Sequence, residues 1–180
     1  MNELKSPQFN EWGYLAPPGP HKGSLCHIRT TFVEDMVPAE SRPELFNLMT
    51  ALIGTFINLL STDRFQVWIG GVFISNIQDP KDADFCLLIS PDTFNQADQE
   101  TENTIFKFMH PETDRTKSAE ALHQKMGCSL HILLNETDPD NPYYLLCQRA
   151  KEMMDTYYHW DAVHHPRGYF ICNAEKEPQQ

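Results

Sequence analysis

A chain of 180 residues with 41% hydrophobic and 22% charged side chains has the make-up of one globular domain with a real core, and falls short of what two domains usually need. Its 25 acidic residues against 14 basic ones give a formal net charge of -11, and a surface that acidic disfavours an extended nucleic-acid groove. A small nucleotide is still compatible with it, because a divalent metal can bridge acidic side chains and phosphates.

Met1 to Tyr14 carries acidic and amide residues and no apolar run, so it does not read as a signal peptide. Residues 9–24, FNEWGYLAPPGPHKGS, hold three prolines and three glycines and cannot stay regular for long. The first 40 residues therefore read as a turn-rich segment, with Trp12, Tyr14 and Leu15 available to pin it to a core. The first helix is signalled by Ser41-x-x-Glu44, a capping box, with Pro43 in the first turn. Leu45, Leu48, Met49, Leu52, Phe56, Leu59 and Leu60 follow at helical spacing, and Phe46, Ile53 and Ile57 widen the apolar face. The greasiest run, Leu48 to Leu60, is shorter than the roughly 20 residues a bilayer span takes, so no membrane association is expected.

Phe65–Ile69 reads as a strand running into Gly70-Gly71, and VFISNI after it as the start of a short helix. Asp82–Ile89 and Ser129–Leu134 read as two more strands. Between them lie a polar stretch, residues 90–104, and a helix from about Ser118 to Met126. A long helix from about Asn141 to His159, a short strand Tyr169–Cys172 and a charged tail, expected to be disordered over 173–180, complete the chain. The fold class this implies is α/β (α+β): a single domain over residues 1–180, with a small mixed β-sheet flanked by helices. Cys26, Cys86, Cys128, Cys147 and Cys172 are odd in number, widely spaced and form no C-x-x-C pair. That pattern suits free thiols in a reducing, cytoplasmic setting rather than a zinc ribbon or a disulfide framework.

The stretch that carries chemistry is WIGGVFISNIQDPKDADFCLLI, residues 68–89. Two glycines at the end of a strand let backbone approach a ligand, and free N–H groups there suit phosphate oxygens. Ten residues on, Asp82 and Asp84 stand at i and i+2, so an extended backbone points both carboxylates to one face. Oxygen-only ligands favour Mg²⁺ or Mn²⁺. Asp-x-Asp by itself means little in a chain with 12 aspartates, and Asp138-Pro139-Asp140 reads as a turn. The Gly-Gly strand in front of the first pair sets it apart.

That pattern resembles the polymerase-β-type nucleotidyltransferase superfamily, and within it an uncharacterised family of bacterial nucleotidyltransferase-like proteins. FNEWGYLAPPGPH is similar to that family's N-terminal motif at Gly13, Leu15, Pro18, Gly19 and His21. WIGGVF, DPKDADFCLLI and HHPRGYFIC resemble its Gly-Gly-Ser-Phe block, its Pro-x-Asp-x-Asp strand and its C-terminal strand. The resemblance implies metal-dependent transfer of a nucleoside monophosphate from a nucleoside triphosphate to a hydroxyl of a protein, RNA or small-molecule acceptor. Relatives do this in toxin–antitoxin and phage-defence settings. Asp82 and Asp84 would then hold Mg²⁺ or Mn²⁺, and the Gly70-Gly71-Val72 turn, with His21 as a further candidate, would contact the nucleotide. A third carboxylate is expected on a neighbouring strand.

The chain departs from the pattern twice. Val72 stands where a serine is usual, and Ser129 or His131 occupies the expected place of the third carboxylate, with Glu136 just beyond as a substitute. A neutral His131 is a candidate general base. The alternative is a catalytically degenerate relative that binds a nucleotide or a protein. Lys22, Lys81 and Arg167 are the cations to consider for phosphate contacts, and His159, Asp161, His164 and His165 read as a polar connection, since their spacing fits no zinc signature.

Overall fold

The computed structural model describes residues 7–36, 40–109 and 117–174. Its main sheet has five strands: β3 (Gly19–Lys22), β4 (Gln66–Gly70), β5 (Ala83–Ile89), β6 (Cys128–Leu134) and β7 (Gly168–Asn173), in the order β3-β7-β4-β5-β6. β4 is antiparallel to both neighbours, β5 and β7, while β5 with β6 and β3 with β7 are parallel. The sheet is therefore mixed, as the sequence implies, and the four strands read from the sequence lie side by side as β7-β4-β5-β6. A separate two-stranded piece, β1 (Gln8–Phe9) with β2 (Leu15–Ala16), precedes β3.

Helices cover both faces. α2 (Ser41–Leu60) packs on β5 and β6 through Leu45, Met49, Ile53, Phe56, Ile57 and Leu60. Its 20 residues are long and apolar enough by length and composition to cross a bilayer, more than the stretch from Leu48 suggests. Its buried face is a core face instead. The expected capping box is not made: the N-cap is Glu40, which forms no side-chain cap hydrogen bond. α6 (Tyr144–His159) lies on the opposite face, where Tyr158 packs on Tyr169 of β7 and Tyr157 meets His131 of β6 edge-on. Because both faces are covered, all seven residues of β5 are buried.

Short helices that the sequence did not announce fill the connections: α1 (Leu25–Arg29), a π-helical turn at Thr30–Glu34, α3 (Pro91–Asn95) and α4 (Gln99–Met109). α3 and α4 occupy the stretch read as merely polar. Ser90 caps the first by accepting from the Thr93 amide, and Asp98 starts the second by accepting from the Thr101 amide. α5 (Ser118–Met126) stands where the sequence places it. Asn173 closes β7 and Ala174 is buried; the rest of the charged tail lies outside the described residues.

The N-terminal segment is anchored by the polar connection between α6 and β7. Trp12 stacks on His165 with ring centroids 4.6 Å apart, and the Tyr14 hydroxyl donates to Asp161 at 3.0 Å. Partial burial pushes the Asp161 carboxyl up. Hydrogen bonds from the His165 and Val163 amides, the Tyr14 hydroxyl and the His165 ring outweigh it and hold the group at about 2. A carboxyl depressed in the folded state stabilises the fold above its ordinary range, near 4, and loses that contribution as pH falls towards 2. Acid titration followed by Trp12 fluorescence should show the segment loosening across that window, and Asp161→Asn should remove the transition. A Trp12 signal flat down to the pH of global unfolding would contradict this anchoring.

Candidate functional site

The register of the sheet assembles the site. Asp84 is opposite Gly70 of β4 on one side and Ser129 of β6 on the other. Side chains opposite one another share a face, so Asp84 and Ser129 project to the α6 side while Ala83, Phe85 and Leu87 project to the α2 side. Asp84 is 9% exposed and Asp82, just before the strand, is half-buried. Both carboxylates act on the same neighbours. Burial pushes the Cys128 thiol up to about 12, with Asp84 and then Asp82 adding to the effect. The Tyr157 hydroxyl is also raised, by burial first and by Asp84 and Asp82 after it, with Arg167 opposing.

The glycines are there for close approach. Gly71 has φ 71° and ψ -162°, a combination essentially restricted to glycine, and a Cβ on it would lie 2.3 Å from Asp84 Oδ2. A Cβ on Gly70 would lie 2.1 Å from the Tyr158 ring. The turn thus sits directly against the carboxylate on one side and against α6 on the other. The short helix expected after it is a single 3-10 turn, Val72–Ile74.

That turn is held by a residue the sequence reading passed over. Arg42, in the first turn of α2, is 1% exposed and donates to four backbone carbonyls: Phe32 (3.2 Å), Phe73 (2.6 Å), Ser75 (2.9 Å) and Ile77. Three of the four belong to the segment after Gly71. Burial lowers the guanidinium's pKa, and the Phe73 ring, 5.9 Å from Cζ, covers one side. The available signal was an arginine inside an otherwise apolar helix face.

Of the predicted site residues, the structure brings together Gly70, Gly71, Asp82, Asp84 and Ser129. His131 shares their face one step further on, opposite Cys86, with its ring 6.0 Å from Tyr157. Burial lowers its pKa, so it is neutral at pH 7. Arg167 is at this end too, its Nε donating to the Tyr158 carbonyl at 3.0 Å and its guanidinium 5.7 Å from the Tyr157 ring centre. Val72 is half-buried in the 3-10 turn and brings no polar side chain.

Other residues are placed elsewhere. His21 is opposite Phe170 on β3, so it faces the α2 side and stands three strands from β5. It cannot share a ligand with Asp84, because the sheet lies between them. Glu136 lies beyond the far end of β6, about 20 Å along the strand direction from Ser129 at about 3.3 Å per residue. There its carboxylate accepts from the Thr137 and Asp138 amides, both at 2.8 Å, so it organises a turn. Lys81 pairs with Asp79, and Lys22 is exposed on the edge strand.

Residues 7–169, nearly the whole of this architecture, match a family of unknown function, DUF6932. The chain belongs to that family. No curated protein and no solved structure matches it. The DUF6932 match takes in both aspartates, the Gly-Gly turn, Arg42 and α6, so the family region carries the site complete.

Proposed function

We propose that this chain is a nucleotidyltransferase-like protein that holds a divalent cation and a nucleoside triphosphate at Asp82 and Asp84. It would transfer a nucleoside monophosphate to a hydroxyl of a protein, RNA or small-molecule acceptor. The observation that carries this reading is the contact between the Gly71 turn and Asp84. A cradle that any Cβ would fill lies directly against a buried carboxylate with a second carboxylate two residues away. The donor set, hard oxygens on one face, fits Mg²⁺ or Mn²⁺. Bound there, such an ion would neutralise triphosphate oxygens and make the acceptor hydroxyl easier to deprotonate.

In the transfer, the acceptor oxygen bonds to the α-phosphorus and pyrophosphate departs with the electron pair of the broken P–O bond. The hydroxyl proton goes to a base, for which neutral His131, on the same face as Ser129 and Asp84, is the candidate. Gly70 and Gly71 offer backbone to phosphate oxygens, and Arg167 is the cation at the same end of the sheet. A cytoplasmic setting is part of the proposal; the five cysteines, all free thiols, support it.

A second reading is a relative that binds the nucleotide without turning it over. Among the described residues no three His, Cys, Asp or Glu side chains gather as a metal-holding group, and that favours it. One set of measurements separates the two. Mn²⁺ with a nucleoside triphosphate at about 100 times Kd should stabilise the fold by about 2.7 kcal/mol. Asp82→Asn with Asp84→Asn should abolish that shift, and an undiminished shift would end both readings. Label transfer from a triphosphate to lysate acceptors supports the first, and binding without transfer supports the second. Ser129→Asp, opposite Asp84, should tighten Mn²⁺ binding, whereas His131→Asp, one step removed, should not.

A further inference from the structure

α6 carries two apolar stripes, and the sheet covers one of them. Cys147 and Tyr158 are buried, with Met154 packed on the core beside them. Leu146, Ala150, Met153 and Tyr157 recur at intervals of four, three and four residues, about 100° around the helix from the covered set. Tyr143 and Trp160 extend this second stripe at the two ends of the helix. Its five large side chains are between 40% and 74% exposed. Seven of the twelve large apolar side chains exposed among the described residues fall between Tyr143 and Val163, and a patch so concentrated marks a contact surface. The parts of the sequence outside the described residues, MNELKS, VPA, HPETDRT and EKEPQQ, hold no apolar run to lay over it.

We infer that this stripe is the seat of a two-fold dimer, in which a second copy of the chain lays its own α6 antiparallel on the first. The stripe is its own complement. Antiparallel pairing sets Leu146 against the partner's Tyr157 and Ala150 against the partner's Met153, and the two-fold axis repeats both contacts. The average spacing, close to 3.5 residues, is that of a helix–helix seam. Charge agrees with this arrangement. Lys151 donates to Asn135 and Asp155 accepts from Tyr169, so the charged side chains left on the solvent flank of the stripe are Arg149 and Glu152, both exposed. Antiparallel packing brings Arg149 near the partner's Glu152, whereas parallel packing would set like charge against like charge. At roughly 200 Å² for a large side chain, the five exposed ones amount to about 600 Å² per copy. Two copies then bury about 1,200 Å², the lower end of what specific interfaces need, which suits a dimer of micromolar affinity.

Sedimentation equilibrium of the unmodified chain in about 0.15 M salt tests this. The average mass should rise from 20.8 kDa towards twice that value between about 1 and 100 µM. Met153→Glu, at a position that faces solvent in the single chain, should weaken association at least about tenfold. Its circular dichroism and its melting temperature at about 1 µM, where the chain is mostly monomeric, should match those of the unmodified protein. Leu146→Lys and Tyr157→Glu should each weaken association as well. An equimolar mixture of those two variants should dimerise at least about tenfold more tightly than either alone, because antiparallel pairing sets the introduced charges opposite each other. A chain that stays monomeric at about 100 µM, association untouched by Met153→Glu, growth beyond the dimer, or a mixture no tighter than its parts would each overturn the two-fold pairing. None of these readings involves nucleotide or metal, so failure here leaves the proposed function standing.

Discussion

Arg42→Met should cost about 4 kcal/mol of folding stability, the largest effect of any single substitution outside the apolar core. The guanidinium serves four carbonyls in a place where water does not reach. Hydrogen bonds from a charged donor contribute about 1.5–3 kcal/mol each, and their sum is tempered by the cost of burying the charge. Removing a partner from such a network typically costs about 3–5 kcal/mol, because the groups left behind have no replacement. For a chain of this size that corresponds to a melting temperature lower by roughly 10 °C. Arg42→Lys should rescue little, since an ammonium cannot reproduce a planar fork spread over four acceptors. Denaturant unfolding decides it: a loss below about 1 kcal/mol would mean the carbonyls find other donors.

Gly71→Ala should damage both the fold and the site, and the two effects have separable causes. One part is backbone: the conformation at φ 71°, ψ -162° costs a residue with a Cβ about 1–3 kcal/mol. The other part is the collision with Asp84 Oδ2 at 2.3 Å, which must push the carboxylate aside. Combining Gly71→Ala with Asp84→Ala removes the collision and leaves the backbone strain. The double variant should therefore be more stable than the sum of the single losses by about 1 kcal/mol or more. Mn²⁺-dependent stabilisation should be lost in Gly71→Ala alone, even at temperatures where the variant remains folded. Strict additivity would show that Asp84 is not held against the turn.

The parts of the molecule that could be read in advance are those where a periodic pattern meets a clear stop. α2 has the pattern, and it runs Ser41–Leu60 as read although the capping box does not set its start. β4, β5 and β6 were legible as apolar runs ended by glycine or turn residues. β3 was not: Gly19-Pro20-His21-Lys22 has the composition of a turn, and only an edge position tolerates a proline with no amide to donate. α4 was missed because it buries little, with Thr101 and Ile105 its fully buried residues, so its apolar stripe is too thin to register. In the site, the pairing of Asp84 with Gly70 and Ser129 followed from strand alternation once the order of the strands was correct. The separation of His21 and Glu136 from that site did not, because which face and which end a residue occupies depends on register. Arg42 was hidden by its surroundings. A charge in an apolar helix gives no hint that its partners are carbonyls 31 to 35 residues further on.

The strand order β3-β7-β4 also sets a schedule for the chain during synthesis. The last strand lies inside the sheet, between one formed by residues 19–22 and one formed by residues 66–70. β4, β5 and β6 can pair as soon as residue 134 has left the ribosome, yet one edge of β4 then stays open until residue 173 arrives. At about 5–20 residues per second, that interval lasts some seconds, during which Val67, Trp68 and Ile69 present unpaired backbone. β3 waits as well, because among the described residues its sheet neighbour is β7. A nascent chain stalled before residue 168 would thus carry an exposed sheet edge and a loose leader, which is the form a chaperone would meet.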